Sequence, residues 1–249
     1  MQKEMIGPYK LIKFLNITLF GEKHLALDQD GQKVFLTIIS EELASPQAFL
    51  SRFEQVAEPI KKLDSSYVPA LIAWKDYEGH AFVVQEHCQD QKLSQILTGE
   101  EGLAVDLVLE IAQQVGNYLQ VLHQAGLIHG ALSPETILLS ADGEVRVMDT
   151  GLAKGVDLAQ RLATGRIEPQ PYNAPELRQG DAFSPCVDFY ALGATLYQAL
   201  TGKTPALDPS NPYPGNQRPG LSPELDDLVA HCLQVDPGQR VQSAAELLN

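Results

Sequence analysis

The sequence predicts an α+β fold in two lobes, a small β-rich lobe with one main helix and then a large, mostly helical lobe. Three observations predict it. Short alternating and β-branched runs fill residues 8–38 and 68–86, with one stretch of helical period between them. Beyond residue 100 the apolar positions recur at three and four instead. Within this helical part sits a single hairpin, Leu127 to Gly151, with a polar loop at the start of its first strand and another at the end of its second.

Tyr9 to Ile12, Lys23 to Leu27 and Val34 to Ile38 read as antiparallel strands, with a turn at Asp28 to Gly31. Phe49, Phe53, Val56, Ile60 and Leu63 then mark one face of an amphipathic helix. Pro59 lies inside it and should kink or shorten it, at roughly 3 kcal/mol unless packing compensates. Val68 to Trp74 and Ala81 to Glu86 add two strands and complete a sheet of about five. His87 to Gln91 is a polar connector. One domain is expected over 1–249, with the first lobe at about 1–87, the connector at about 87–91 and the second lobe at about 92–249.

In the second lobe Val108, Ile111, Ala112, Val115, Leu119 and Leu122 give a buried face to a helix of about five turns, ended by Gly126. The hairpin follows, turning at Ala141-Asp142-Gly143. Residues 152–171 show little periodicity. Asp188 to Leu200 is apolar on all sides and predicts a deeply buried helix. Residues 205–223 are rich in Pro and Asn and read as loop. Ser222-Pro223-Glu224 opens another helix, and a last one runs through Ser243 to Leu248.

Net charge is −14, from 18 basic and 32 acidic residues, which argues against nucleic acid or an anionic membrane as the main partner. Cys88, Cys186 and Cys232 are far apart and odd in number, so they read as free thiols in a reducing compartment. No apolar run reaches about 18 residues and no signal peptide is evident. A cytoplasmic domain is expected, with no direct membrane insertion by this segment. It is read as a domain cut from a longer chain, such as the cytosolic part of a membrane protein.

The hairpin loops read His129-Gly130-Ala131-Leu132-Ser133-Pro134-Glu135-Thr136 and Asp149-Thr150-Gly151. Downstream come Tyr172-Asn173-Ala174-Pro175-Glu176, then Asp188 to Gly193 with Leu200-Thr201-Gly202, then Asp236-Pro237-Gly238-Gln239-Arg240. This ordered series, from about Tyr9 to Leu248, resembles the eukaryotic-type protein kinases, and its flavour is closest to bacterial serine/threonine kinases. The resemblance implies their bilobal fold. It also implies that Glu176 and Arg240 form a buried ion pair, that Asp188 accepts N–H bonds from the His129 loop, and that His129 is structural.

Against that family pattern the chemical positions are degenerate. Of the loop glycines Gly21 remains, with Asn16 and Thr18 in the other places. Thr37 stands where the strand lysine is expected and Val56 where its helix glutamate is expected. Lys33 lies on the same side as Thr37 but about 13 Å along the strand, too far to substitute. Phe35 replaces the small residue above the adenine and should fill that slot, while Lys23 replaces the valine at its other edge. Ala131 cannot accept a proton. Ser133 and Thr136 replace the phosphate-contacting lysine and the metal-binding asparagine, and Gly130 replaces an arginine. Asp149 is the one remaining metal candidate, read first as a loop cap. Thr150 replaces a phenylalanine, so the interior beside it should be loose or differently filled.

These substitutions lead to the expectation of a pseudokinase. It would be no enzyme, would need no cofactor or metal, and would bind ATP weakly or not at all. It would act as a scaffold or allosteric regulator for another protein, such as an active kinase or domains fused to it. Docking is expected on the helix Phe49 to Leu63 or the loop Asp208 to Gly220. If a nucleotide pocket is used, Gly21, Phe35, Gln85, Glu86, Cys88, Leu138 and Asp149 would line it. The alternatives are a nucleotide sensor without turnover, or a non-standard active serine/threonine kinase that recruits Asp149, Glu135 or Glu86.

Overall fold

The structure is a computed structural model that describes residues 5–63, 65–99, 101–180, 183–207 and 211–248. The chain divides into two compact units.

The first unit comprises the described residues of Met1–Asp64 with Pro69–Gln89 and Gly151–Leu158. Its strands are β1 (Met5–Ile6), β2 (Tyr9–Thr18), β3 (Gly21–Leu27), β4 (Lys33–Ile39), β5 (Leu71–Tyr77) and β6 (His80–Glu86). They form one six-stranded sheet in the order β1-β2-β3-β4-β6-β5, antiparallel throughout. The sixth strand is β1, which pairs with the start of β2 and is too short to show a period. β2 also outruns its predicted end at Ile12. Its ladder slips between Leu11 and Lys13 and again between Phe14 and Asn16, and such irregularities break the alternation by which a strand is recognised.

Helix α1 (Pro46–Lys61) is capped by Ser45, whose hydroxyl accepts from Ala48 N at 3.4 Å. The helix continues past Pro59 but ends at Lys61, short of the expected Leu63. The proline falls in the last turn, where one bond is lost and Lys62 N still reaches Glu58 O at 3.2 Å. Phe49, Phe53, Ala57 and Ile60 are buried. Phe49 stacks on Phe53 at 5.2 Å, and Phe53 meets Trp74 of β5 edge-on at 6.2 Å. The one-turn helix Leu152–Val156 completes the cover: a methyl at Gly155 would lie 2.4 Å from the Phe49 ring. The apolar face of α1 is therefore spent inside the unit.

The second unit comprises Ser65–Val68, Asp90–Thr150 and the described residues of Ala159–Asn249. Strands β7 (Gln91–Lys92), β8 (Ile137–Leu139) and β9 (Val145–Val147) form a three-stranded sheet in that order. The helices are α2 (Leu93–Ile96), α3 (Val105–Gln124), α5 (Leu158–Ala163), α6 (Pro175–Gln179), α7 (Cys186–Thr201), α8 (Pro223–Cys232) and α9 (Ala244–Leu247), with α4 the Leu152–Val156 turn already placed. The core forms where α7, buried along nearly its whole length, packs against α3 and α8. Gly193 permits the α8 approach, since a methyl there would lie 2.5 Å from Cys232 Cβ. Helices α4 and α5 occupy the stretch that showed no period, because five or six residues do not complete two turns.

The loop expected to dock a partner, Asp208 to Gly220, is partly outside the described residues. Its remainder is pinned: Gly215 N donates to Asp226 at 2.6 Å, and the Arg218 guanidinium donates to Leu103 O at 2.6 Å and Leu200 O at 3.0 Å. Among the described residues no helix is long and apolar enough to cross a membrane.

Candidate functional site

The hairpin pairs Ile137 with Val147 and Leu139 with Val145, so the loops before β8 and after β9 leave from the same end. Two bonds stitch them together. Met148 N donates to Thr136 O at 2.8 Å, and His129 Nε2 lies 2.9 Å from Met148 O. His129 Nδ1 accepts from Ala131 N at 3.2 Å, so the proton sits on Nε2 and the ring, fully buried, is locked in one tautomer. Asp188 receives His129 N at 3.0 Å, Gly130 N at 2.7 Å and His123 Nε2 at 2.9 Å. Three donors make a carboxylate with no exposure tolerable.

Each loop position then has a physical account. Gly130 holds φ +72°, and a Cβ there would meet the Phe183 ring at 2.0 Å, so a side chain would have to displace that ring. Ala131 is buried and offers a methyl group. The Thr136 hydroxyl donates to Ser133 O and accepts from Ser133 N, both at 3.1 Å, so it closes its own turn. Glu135 pairs with Lys92 at 2.9 Å. Asp149 is buried at φ +64°, a left-handed conformation that costs a non-glycine residue about 1–2 kcal/mol. Thr150 is not loosely packed: its hydroxyl lies 3.0 Å from that of Tyr118, whose ring meets His129 edge-on. Burial pushes the Tyr118 phenol well above its usual range, the Thr150 bond pulls it partly back, and Asp188 raises it again. Leu138 is buried in β8. Glu176 and Arg240 meet in a two-pronged pair deep in the unit.

In the first unit the strand register decides which side chains share a face. β3 and β4 pair Lys23 with Thr37 and Leu25 with Phe35, and β4 and β6 pair Thr37 with Val83 and Phe35 with Gln85. These residues therefore line one face, while Ala26, Val34, Leu36, Phe82 and Val84 pack on the other. Thr37 and Gln85 are buried, as is Cys88 in the connector. Phe35 rests against His87, ring centroids 4.8 Å apart, in the strip where a flat base would be expected. Glu86 accepts from Ala70 N at 3.2 Å and is a structural link. Val56 packs over Gly151, its Cγ2 3.1 Å from where a Cβ would stand. Gly21 is required by the sheet, since a Cβ there would lie 2.0 Å from Ile38 O. Thr18 closes the turn before it by accepting from Phe20 N at 3.2 Å and donating to Gly21 O at 3.0 Å. A cleft of about 630 Å³ opens on the opposite face of the sheet, and of the predicted site residues only Gly21 lines it.

Lys23 is what the sequence reading missed. It is 5% exposed, directly opposite Thr37, with Nζ 5.5 Å from the centre of the Phe35 ring. A cation over an aromatic face is worth about 0.5–2 kcal/mol depending on desolvation. Lys33, on the same side of β4 as Thr37, is exposed at the strand's end. The signal was in the hairpin: a turn at residues 28–32 sets a register in which 23 faces 37.

The residues fit a phosphate-bearing ligand through this ammonium. A purine has to stack on the Phe35 ring or displace it. They do not fit a protein-built metal centre: among the described residues no group of three His, Cys, Asp or Glu comes together. Asp149 alone is a poor ligand set for a divalent cation.

A family model described as protein kinase domain matches residues 20–249. The chain is 28% identical to the serine/threonine-protein kinase PknA of Corynebacterium glutamicum, over 88% of its own length and 50% of the relative's. It is 30% identical to PknA of Mycobacterium tuberculosis, over 95% of its length and 59% of the relative's. The chain thus spans about half the length of the curated relatives it matches. The kinase domain of PknI from Mycobacterium tuberculosis matches with a TM-score of 0.82 at 23% identity, covering 100% of this chain and 97% of that one, a likeness of fold. These relatives overturn the expectation of a non-enzyme: proteins about 30% identical over most of the chain are named as serine/threonine kinases. That expectation rested on the joint substitution of Thr37, Ala131, Thr136 and two loop glycines.

Proposed function

The chain belongs to the protein kinase domain family, and from that premise we propose that it is a slow, non-standard serine/threonine protein kinase. The observation that carries the reading is Asp149. Its backbone is held in a strained conformation at the mouth of a hairpin whose two loops are locked by His129. Such strain persists only where the surroundings over-determine it, and it gathers at functional sites.

A nucleoside triphosphate supplies the phosphoryl group when bound. The chain's own part is to hold donor and acceptor in line and to place charge near the transferring group, which is most of what this reaction asks of a protein. Ala131 forgoes a base, a loss of about 10²–10⁴ in rate rather than of all activity. No step here runs through a metal centre built by the chain. The three cysteines, none in a disulfide, fit a reducing cytoplasmic setting.

The test is incubation of the purified chain with γ-labelled ATP, magnesium or manganese, and a protein substrate. Slow incorporation into Ser or Thr is expected, with a fall of at least about tenfold in Asp149→Ala. Equal labelling by that variant, or none by either protein, sinks the reading. A second reading is favoured by the Phe35–His87 contact, which occupies the strip a base would use: a regulatory domain of weak nucleotide affinity that binds another protein, such as an active kinase or domains fused to it. ATP titration followed by thermal unfolding separates the two, because a ligand of the native state raises the midpoint.

A further inference from the structure

We infer that the cleft on the face of the first unit's sheet opposite Thr37 and Phe35 is a docking groove for a basic, extended segment of a partner protein. The groove stands whether or not the chain transfers phosphoryl groups. The strand ladders build it. Glu22 of β3 is set opposite Ile17 of β2 and Ile38 of β4, and His24 is set opposite Phe14 and Leu36. These side chains therefore share one face with Ala26 and Leu36 of the sheet's core. Ile6, Leu11 and Ile38 give the cleft an apolar floor, and its volume of about 630 Å³ is that of a ligand site.

Two features say what the groove takes. The first is charge. Glu22, Glu41 and Glu42 line the cleft and are exposed. His24 Nε2 lies 3.1 Å from Glu22 Oε2, and His80 Nδ1 lies 3.1 Å from Glu41 Oε1. Two of these carboxylates are thus oriented by imidazoles of the same cleft, while their side chains stay 59% and 62% exposed. Carboxylates above an apolar floor select a cation with a hydrocarbon stem, which is what lysine and arginine offer. A nucleic acid or an anionic lipid surface is repelled. So is a second copy docked groove to groove, which would set carboxylates against carboxylates. The second feature is length. Ile17 lines the cleft and is 75% exposed. Phe14, also exposed, continues the apolar surface along β2, its ring 5.4 Å from that of His24. Apolar side chains left open beside a concave site mark an interaction surface. A small cation would leave them uncovered. An extended peptide covers them and the floor with one set of side chains and turns its basic set to the carboxylates.

The test is fluorescence anisotropy of a labelled octapeptide of alternating leucine and arginine, titrated with the purified chain at about 0.15 M salt. Two control peptides of equal length alternate leucine with glutamate and serine with arginine. The leucine–arginine peptide is expected to bind at least about tenfold more tightly than either. Glu41→Lys with Glu42→Lys should weaken it by about tenfold or more, since the rim then repels the peptide. Ile17→Ser should weaken it by about threefold or more, through lost apolar contact. Glu54→Lys with Glu58→Lys makes the same change of net charge on exposed positions of α1 and should leave binding within about twofold. Thermal midpoints certify the fold of each variant; should the rim pair fail to fold, Glu42→Gln and Ile17→Ser carry the comparison, with a fall in affinity expected of both. No binding by the natural chain, or equal binding of the leucine–glutamate peptide, overturns the inference. Equal losses in the rim and α1 variants overturn it too, because they show attraction by net charge alone. Equal binding of the serine–arginine peptide removes the apolar floor from recognition and overturns the groove as drawn.

Discussion

Arg240 and Glu176, 64 residues apart in the chain, meet as a two-pronged ion pair, Nη1 to Oε1 at 2.5 Å and Nη2 to Oε2 at 2.7 Å. The remaining guanidinium valences are also filled, by Gln234 O, Val235 O and Cys186 O, and the Tyr190 ring lies 5.0 Å from Cζ. Removing one partner strands a buried charge. Arg240→Ala is expected to lower stability by about 3–5 kcal/mol, read as a fall in the urea midpoint at unchanged slope. Arg240→Lys should recover little of it, because an ammonium cannot span both carboxylate oxygens.

Gly130 and Gly143 share nearly the same backbone angle, φ +72° and +83°, but only Gly130 has a ring against it. Gly143→Ala should cost about 1–2 kcal/mol from the left-handed conformation alone. Gly130→Ala should cost clearly more, since the Phe183 ring must also move. Thermal unfolding of the two variants side by side checks the order. A Phe183→Ala background should bring the two costs together.

Ala131→Asp places a carboxylate where the loop now offers a methyl group. The loop frame around it is intact, with His129 and Asp188 holding the backbone. The variant is expected to transfer phosphoryl groups at least about a hundredfold faster, the lower range for a positioned base. Initial rates at saturating ATP would show it. No gain would mean that the acceptor hydroxyl is placed elsewhere.

Phe35→Ala removes the ring that a purine would have to displace from His87. Adenosine affinity is expected to rise by about fivefold, the equivalent of freeing one aromatic contact of about 1 kcal/mol. Unchanged affinity would place the base somewhere other than this strip.

Burial pushes the Cys232 thiol up from 9.0 to about 12, with Glu246 adding and Arg240 subtracting. Burial and then Glu135 push the Tyr172 phenol up from 10.0 to about 12. Both acids keep their protons in the folded chain while the unfolded chain gives them up. Their contribution to stability is complete below pH 9.0, the unfolded value of the thiol, and is lost as pH rises toward about 12. Urea midpoints should therefore fall across the alkaline range, less steeply in Cys232→Ala. Thiol reagents at mild pH should modify the half-buried Cys186 well before Cys232.

The long elements were legible because they repeat. Val108 to Leu122 marks α3 by its period, and Val34 to Ile38 marks β4 by its alternation. The partners Glu176 and Arg240 were legible through their motifs, since no period joins residues so far apart. Short helices such as Leu158–Ala163 were hidden for want of turns, and β1 for want of residues. Less legible were properties that belong to pairs of elements rather than to single positions. Lys23 is ordinary in sequence, and only the ladder sets it opposite Thr37. Thr150 likewise looked like a lost packing residue until Tyr118 supplied a bond for it.

That Thr150–Tyr118 bond bears on how the chain can be inhibited. Ligands that trap a protein by taking over the bed of a swung-out aromatic ring depend on a large hydrophobic tenant that can be evicted. Here the tenant is a threonine moored by its hydroxyl, and its departure would free little volume and leave a buried phenol unbonded. Compounds selected for depth should gain nothing at this point, and discrimination from ordinary relatives would have to come from the charged, aromatic strip formed by Lys23, Phe35 and His87.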